Sequence, residues 1–155
     1  MAERGATLVE AALVFPIVLL LLFGIVEFGR FLSASQGVST AAREAARYGI
    51  AVGPSVNGIP RYTDCAEIKN AGVALSGLGA VGAADITVTY ENPAGTTVAD
   101  CQGGTAPSTS NIQDEFKVVV TVSKPFTELV PFTGIVLPDT VTASDKRTIY
   151  LVTSP

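Results

Sequence analysis

The stretch AALVFPIVLLLLFGIV, which runs from Ala11 to Val26, contains no charged residue. Extending it back to Ala6 adds only Thr7 and Glu10 as polar side chains. As a helix, this extended stretch rises about 31 Å at about 1.5 Å per residue, which matches a hydrocarbon core of about 30 Å. A chain of 155 residues has no core wide enough to bury such a segment on all sides. The segment therefore predicts one transmembrane helix.

The segment lacks the marks of a secretory signal that is removed. The residues before it, MAERG, are few and hold an acid beside Arg4, and no A-x-A cleavage site follows the apolar run. Residues 27–30 (EFGR) come next, a charged and aromatic sequence typical of a membrane interface. Pro16 predicts a bend in the span, because a proline inside a helix removes one backbone hydrogen bond. We expect the apolar helix to remain in the mature protein.

The helix is expected to continue beyond the membrane as an amphipathic extension over residues 27–50. A Gly-Pro pair at residues 53 and 54 should stop it. Small residues recur every four positions and form a ridge along one side, namely Gly37, Ala41, Ala45 and Gly49. Such a ridge permits the close approach of another element. Two partners for the ridge remain open at this point: the protein's own head, or neighbouring copies of the chain.

Residues 53–155 predict a head with an antiparallel sheet and one short helix, so the expected fold class is α+β. Residues 63–78 favour the helix, and the strands that follow have no helices between them. Apolar and polar residues alternate in DITVTYE, which places Ile86, Val88 and Tyr90 on one face. The expected strands are Asp85–Glu91, Thr96–Asp100, Glu115–Lys124 and Val141–Val152, with a polar loop at Gln102–Asn111 and an apolar connection at Thr127–Thr133.

Two cysteines, Cys65 and Cys101, both lie beyond the membrane segment. A pair of this kind in an extracytoplasmic domain usually forms a disulfide, whereas two reduced thiols fit a cytoplasmic head. We expect the disulfide. It would close a loop of about 37 residues, for which the chain-entropy model gives about 4 kcal/mol of stabilisation.

The composition argues against several classes of function. The chain has no His and no Trp, and its formal net charge is −4. The absence of His removes His-dependent triads, His general bases and nearly all zinc chemistry. The acidic balance lacks the basic footprint of a nucleic-acid-binding protein. The sequence GLGAVG at residues 77–82 matches a dinucleotide-binding motif literally, but it precedes a predicted strand instead of following one. We therefore expect no catalytic residue, no cofactor and no metal.

One acidic residue, Glu10, lies inside the apolar segment. An ionised carboxylate there costs about 2.5–3.5 kcal/mol on insertion scales, and it needs a counter-charge or a proton. Glu10 is also the fifth residue after Gly5, and this pattern resembles a prepilin leader, a short hydrophilic peptide that ends in Gly. The resemblance implies that a prepilin peptidase cuts between Gly5 and Ala6. It also implies that the new amine of Ala6 becomes the counter-charge that Glu10 meets during subunit assembly.

The likeness extends over roughly residues 4–50. RGATLVEAALVFP from Arg4, GIVEFGR from Gly24 and AAREAARYG from Ala41 are similar to the N-terminal signature of the TadE-like family. Members of this family are minor pilin-like proteins of the tight adherence (Tad/Flp) pilus system. Major Flp pilins carry Tyr after the glutamate, whereas this chain has Ala11, which favours a minor component.

The resemblance implies a minor pseudopilin with a leader at 1–5, a long helix at 6–52 and a head at 53–155. Its partners would be the membrane, other pilin-like subunits, the Tad assembly machinery and the prepilin peptidase. It would cross the cytoplasmic membrane once, with its N-terminus inside and its head outside. The cysteine pair favours this topology, whereas a count of arginines at positions 30, 43 and 47 favours the opposite one. The alternative is a membrane-anchored binding module that never enters a filament, in which Glu10 only snorkels toward the interface.

Overall fold

The structure is a computed structural model that describes residues 2–101, 107–108, 112–129 and 137–151. Its largest element is one helix, α1, which spans Ala2–Ile50 and contains both the apolar segment and its extension. α1 continues through Pro16, as membrane-spanning helices tolerate, and the bend expected there stays a prediction. The helix ends shortly before Gly53, whose φ of +105° is incompatible with a right-handed helix.

The remaining elements form the head. A four-stranded antiparallel sheet has the strand order β2-β1-β3-β4. The fold class is therefore α+β, as the sequence predicted. The elements are α2 (Cys65–Ala74), β1 (Ile86–Glu91), β2 (Thr97–Asp100), β3 (Lys117–Pro125) and β4 (Thr140–Thr148), with short 3-10 helices at Arg61–Thr63, Gly77–Gly79 and Ala83–Asp85.

The core lies between the helices and one face of the sheet. The alternation in β1 buries its apolar side chains on that face, as predicted, and each of them lies opposite a buried valine of β3. α1 contributes small side chains, among them Ala42 and Ala46, so that the helix can lie close to the sheet. The cross-strand pairs are Ile86–Val122, Val88–Val120 and Tyr90–Val118.

Each strand differs by one residue at one end from the sequence prediction, and two strands differ by more at the other end. β3 begins at Lys117 instead of Glu115, and β4 ends at Thr148 instead of residue 152. At the start of β3 the reason is the backbone of Glu115, whose φ of +66° interrupts the extended conformation. The regular ladder therefore ends at the pair Lys117–Thr148, and beyond it Ile149 still forms backbone hydrogen bonds with Phe116 and Glu115. Residue 152 lies outside the described residues.

The helix predicted within residues 63–78 is confirmed in a shorter form. α2 begins at Cys65, because the Asp64 carboxylate accepts the Glu67 backbone N–H at 3.2 Å and so caps the helix. The predicted connections at 102–111 and 127–133 lie partly outside the described residues.

Candidate functional site

The apolar part of α1 projects away from the head. From residue 8 to residue 26 every side chain is exposed except the half-buried Leu19. By length and composition, α1 is the one helix among the described residues that could cross a membrane, and the head buries none of its most apolar stretch. Such a surface is suited to lipid or to other apolar helices. The helix is consistent with a single-pass membrane protein.

Glu10 lies on this uncovered part of the helix, and its side chain is exposed. Gly5 and Ala6 fall within the bounds of α1, but the surroundings of residues 1–7 lie outside what the structure describes. The cut between Gly5 and Ala6 and the assembly role of Glu10 therefore stay predictions.

The first position of the small-residue ridge touches the head directly. A Cβ atom built on Gly37 would lie 2.6 Å from the Cα of Gly79 and 2.7 Å from its nitrogen, and closer still to the carbonyl oxygen of Ser76. Glycine is therefore required where α1 meets the 3-10 helix that follows α2, because any side chain would overlap backbone atoms.

The other ridge positions also pack inside the protein. Ala41 and Ala45 are fully buried. A Cβ on Gly72 of α2 would lie 3.0 Å from the Ala41 carbonyl oxygen and 3.2 Å from the Ala45 Cβ, so α1 and α2 cross at small residues. Gly49 faces the Ile68 side chain. Of the two partners left open by the sequence, the structure places the protein's own head on this ridge.

Glu27, the first charged residue after the apolar run, is buried where the span meets the head. Its side chain is 1% exposed, and both carboxylate oxygens lie 3.0 Å from Nη1 of Arg30. The backbone N–H of Leu129 donates to Oε1 of Glu27 at 3.3 Å. These partners satisfy a buried carboxylate that would otherwise be strongly destabilising.

Arg30 contacts the segment that follows β3, residues 126–129, to which Leu129 belongs. Its Nη2 donates to the carbonyl oxygen of Thr127 at 3.3 Å, and its guanidinium lies 5.5 Å from the centre of the Phe126 ring. That ring meets Phe31 edge to face, with ring centres 5.5 Å apart. We name the following residues the junction cluster: Glu27, Arg30, Phe31, Phe126 and Leu129.

Sequence reasoning found only two of the five residues of the junction cluster, Glu27 and Arg30. It placed residues 27–30 at a membrane interface, and the spacing of Glu27 and Arg30 is that of an ion pair on one helix face. Nothing local indicated that Phe126 and Leu129, about a hundred positions away, would cover this pair. The burial of Glu27 was therefore missed.

Cys65 and Cys101 form the expected disulfide, with their Cα atoms 5.6 Å apart. Beside it, the Tyr90 hydroxyl donates to the carbonyl oxygen of Tyr62 and lies 3.6 Å from Sγ of Cys101. Burial raises the pKa of Tyr90, and the negative charge of Asp64 acts in the same direction. The hydroxyl therefore remains protonated, and it links the disulfide region to the loop before α2.

Asp64 organises that loop. Burial acts to raise the pKa of Asp64, but hydrogen bonds from Ser55, Asn57 and the backbone N–H groups of Glu67 and Ala66 outweigh it and hold the pKa below its usual value. The Asn57 amide donates to Oδ2 at 2.9 Å. A carboxylate stabilised in its charged form is a structural acceptor and a weak base.

Two open clefts flank the head. One, of about 720 Å³, lies beside the junction cluster, between α1, the residues around Ala80 and the end of β3 at Lys124. The other, of about 430 Å³, lies at the opposite end, between Ile50, Pro54 and Tyr150. In the part of the chain that the structure describes, no group of three or more His, Cys, Asp or Glu side chains is arranged to hold a metal ion. The charged groups of Glu27, Arg30 and Asp64 instead hold separate segments of the chain together.

Comparison with known proteins gives one match. No curated protein and no solved structure matches the chain significantly. The family model described as TadE-like protein matches residues 5–47. This region holds Gly5, Glu10, the whole apolar run and the Glu27–Arg30 pair, whereas the sheet and the disulfide lie outside it. The N-terminal helix of this chain thus matches the TadE-like family, in agreement with the signature in its sequence.

Proposed function

We propose that the protein is a minor pseudopilin of a Tad/Flp-type pilus, which takes part in pilus assembly or in a tip or priming complex through α1. The match to the TadE-like family supports a role related to the Tad pilus. The observation that carries the finer proposal is Glu10, a carboxylate on an apolar helix surface that the head leaves uncovered. The proposed role is assembly and involves no enzymatic reaction.

The span itself would provide the packing surface in an assembly. The ridge from Gly37 to Gly49 is occupied by the protein's own head, so helix contacts between subunits fall to residues 8–26. Apolar packing alone tolerates several registers between two helices. A carboxylate in hydrocarbon penalises every register that leaves it without a counter-charge, by about 2.5–3.5 kcal/mol on insertion scales. Glu10 would therefore select the register in which it meets the amine of a neighbouring Ala6.

We further propose that the N-terminus lies in the cytoplasm and the head outside. The bond between Cys65 and Cys101 supports this orientation, because disulfides persist in oxidising compartments. Protease added to intact cells, or to spheroplasts if an outer membrane is present, should digest the head. A head that resists digestion until the cytoplasmic membrane is broken would overturn the orientation.

Substitutions at Gly5 and Glu10 test the assembly role. Gly5→Val should block the cut, because a side chain crowds the scissile bond, and the intact mass should rise by the leader. Glu10→Ala should be cut normally and should insert at least as well, since a charge has left the apolar segment. It should nevertheless fail to restore pilus formation in a deletion strain, and Glu10→Asp should be intermediate because it is one methylene shorter.

The result at Glu10 separates this proposal from its alternative. If Glu10→Ala restores pili as well as the unaltered protein does, the carboxylate is only a tolerated anchor residue and the mechanism is wrong. The alternative, a membrane-anchored binding module, is favoured by the two clefts on the head. It predicts a protein that never co-purifies with pilus components.

A further inference from the structure

We propose that residues 126–129, directly after β3, form a second membrane-contacting element, in which Leu129 inserts its side chain into the interfacial region of the bilayer on the head side. The junction cluster holds Leu129 at that depth. The proposal rests on α1 being the membrane span.

The position of Leu129 along the membrane normal follows from its hydrogen bond to α1. The apolar run ends at Val26, and Glu27 is the next residue. The Leu129 N–H donates to the Glu27 carboxylate at 3.3 Å, so its backbone lies level with the first residue beyond the apolar run. A bilayer of about 40–45 Å with a core of about 30 Å has an interfacial zone of about 5–7 Å on each side. At about 1.5 Å per residue, that zone covers about four helix residues beyond Val26.

The side chain of Leu129 points away from the protein. It is 68% exposed although its backbone is fixed, and Phe28, which lies on α1 within the same zone, is 54% exposed. Apolar and aromatic side chains at this level are those that an interfacial zone accommodates. The bilayer is therefore the occupant that the geometry favours, because it already surrounds the helix segment to which Leu129 is bonded.

The junction cluster explains why residues 126–129 stay at this position along the membrane normal. Arg30 binds both Glu27 and the Thr127 carbonyl oxygen, and Phe126 packs on Phe31. These residues are thus fixed at two successive turns of α1, and Leu129 cannot rise away from the membrane without breaking the bond to Glu27.

The absence of tryptophan from the chain permits a direct test. The full-length Leu129→Trp variant is reconstituted in phosphatidylcholine vesicles whose acyl chains carry bromine near the carbonyl end or near the methyl end. Leu21→Trp, in the span, is the control for insertion. Val56→Trp is the control for water, because Val56 is 82% exposed and follows Ile50, which lies about 36 Å along the helix from Val26.

The fluorescence of the Leu129→Trp variant should be quenched most by bromine near the carbonyl end, and it should be shielded from aqueous acrylamide relative to Val56→Trp. If it is quenched by acrylamide as strongly as Val56→Trp while Leu21→Trp is quenched by lipid, the loop contact is refuted and the span stands. If Leu21→Trp also escapes lipid quenching, the span itself is wrong and the loop proposal is overturned with it.

A second substitution tests the role of the cluster. Glu27→Ala, made in the Leu129→Trp background, removes the bonds to Arg30 and to the Leu129 backbone, and most of the lipid quenching should be lost. Glu44→Ala is the matched control, because Glu44 forms a 3.6 Å ion pair with Arg47 on the same helix, away from residues 126–129. Equal lipid quenching in both double variants would refute the claim that the cluster sets the depth of Leu129.

Discussion

Adding a single methyl group at Gly37 should destabilise the head. A Cβ there would lie 2.6 Å from the Cα of Gly79 and 2.7 Å from its nitrogen. These are backbone atoms and have no rotamer by which to move away. α1 and the 3-10 helix would have to separate by about 0.9 Å to reach an ordinary carbon contact of about 3.5 Å.

The size of the effect can be worked out from two opposing terms. Overpacking a close contact costs about 1–3 kcal/mol, and a clash between backbone atoms belongs at the upper end, about 3 kcal/mol. Replacing Gly by Ala inside a helix contributes about 1 kcal/mol in the stabilising direction. Gly37→Ala should therefore lower the free energy of unfolding by about 2 kcal/mol. For a domain of about 100 residues, the size of the head, this corresponds to a fall of about 10 °C in Tm.

Gly29→Ala is the matched control, because it lies on the same helix and a Cβ there meets nothing within 4 Å. It should leave Tm unchanged or raise it. Thermal unfolding in detergent micelles, followed through the tyrosine signal of the head, measures both variants. If Gly37→Ala melts within a degree or two of Gly29→Ala, the close approach of α1 and the head does not constrain the protein.

Three further predictions concern the head. Cys65→Ser should lower the free energy of unfolding by about 2–5 kcal/mol, and two alkylatable thiols in the unreduced wild type would contradict the bond. Asp64→Ala should cost about 1–2 kcal/mol because α2 loses its cap, whereas Asp64→Asn, which can still cap, should cost less; equal losses would exclude capping as the cause. The folded-state pKa of Asp64 lies below its usual 3.8, so its contribution is complete above that value and disappears as the pH falls through the folded-state pKa. The denaturant concentration at the midpoint of unfolding should therefore fall less steeply below about pH 4 in Asp64→Asn than in the wild type. Parallel curves for the two proteins would refute the lowered pKa of Asp64.

Local sequence patterns were sufficient to predict the main helices and strands. Alternation in DITVTYE places three apolar side chains on one face of any strand, and the structure buries those same side chains. The apolar stretch from Ala6 to Val26 predicts a span from its length and composition. Glu10 was likewise found from its immediate neighbours, since an acid in an apolar helix is conspicuous without knowledge of the fold.

Contacts between distant segments lay beyond such patterns. A ridge of small residues permits close packing but does not name the partner, and only the folded chain shows Gly79 against Gly37. The hydrogen bond from Leu129 to Glu27 joins residues 102 positions apart, and no pattern in the sequence around either residue indicates the other as its partner. The positive φ of Glu115 was also unpredictable, because a glutamate in that conformation is held by its surroundings.

The unbroken course of α1 has a mechanical consequence. At about 1.5 Å per residue, its 49 residues correspond to about 74 Å of helix, and the head packs along the C-terminal half of that helix. The membrane segment and the part that packs on the sheet belong to this one continuous helix, so a rotation of one about the helix axis also rotates the other. Each one-residue step in the register of the span turns its contact face by about 100°. The rotation of the span about its own axis, as set by its neighbours, therefore determines the direction in which the head faces.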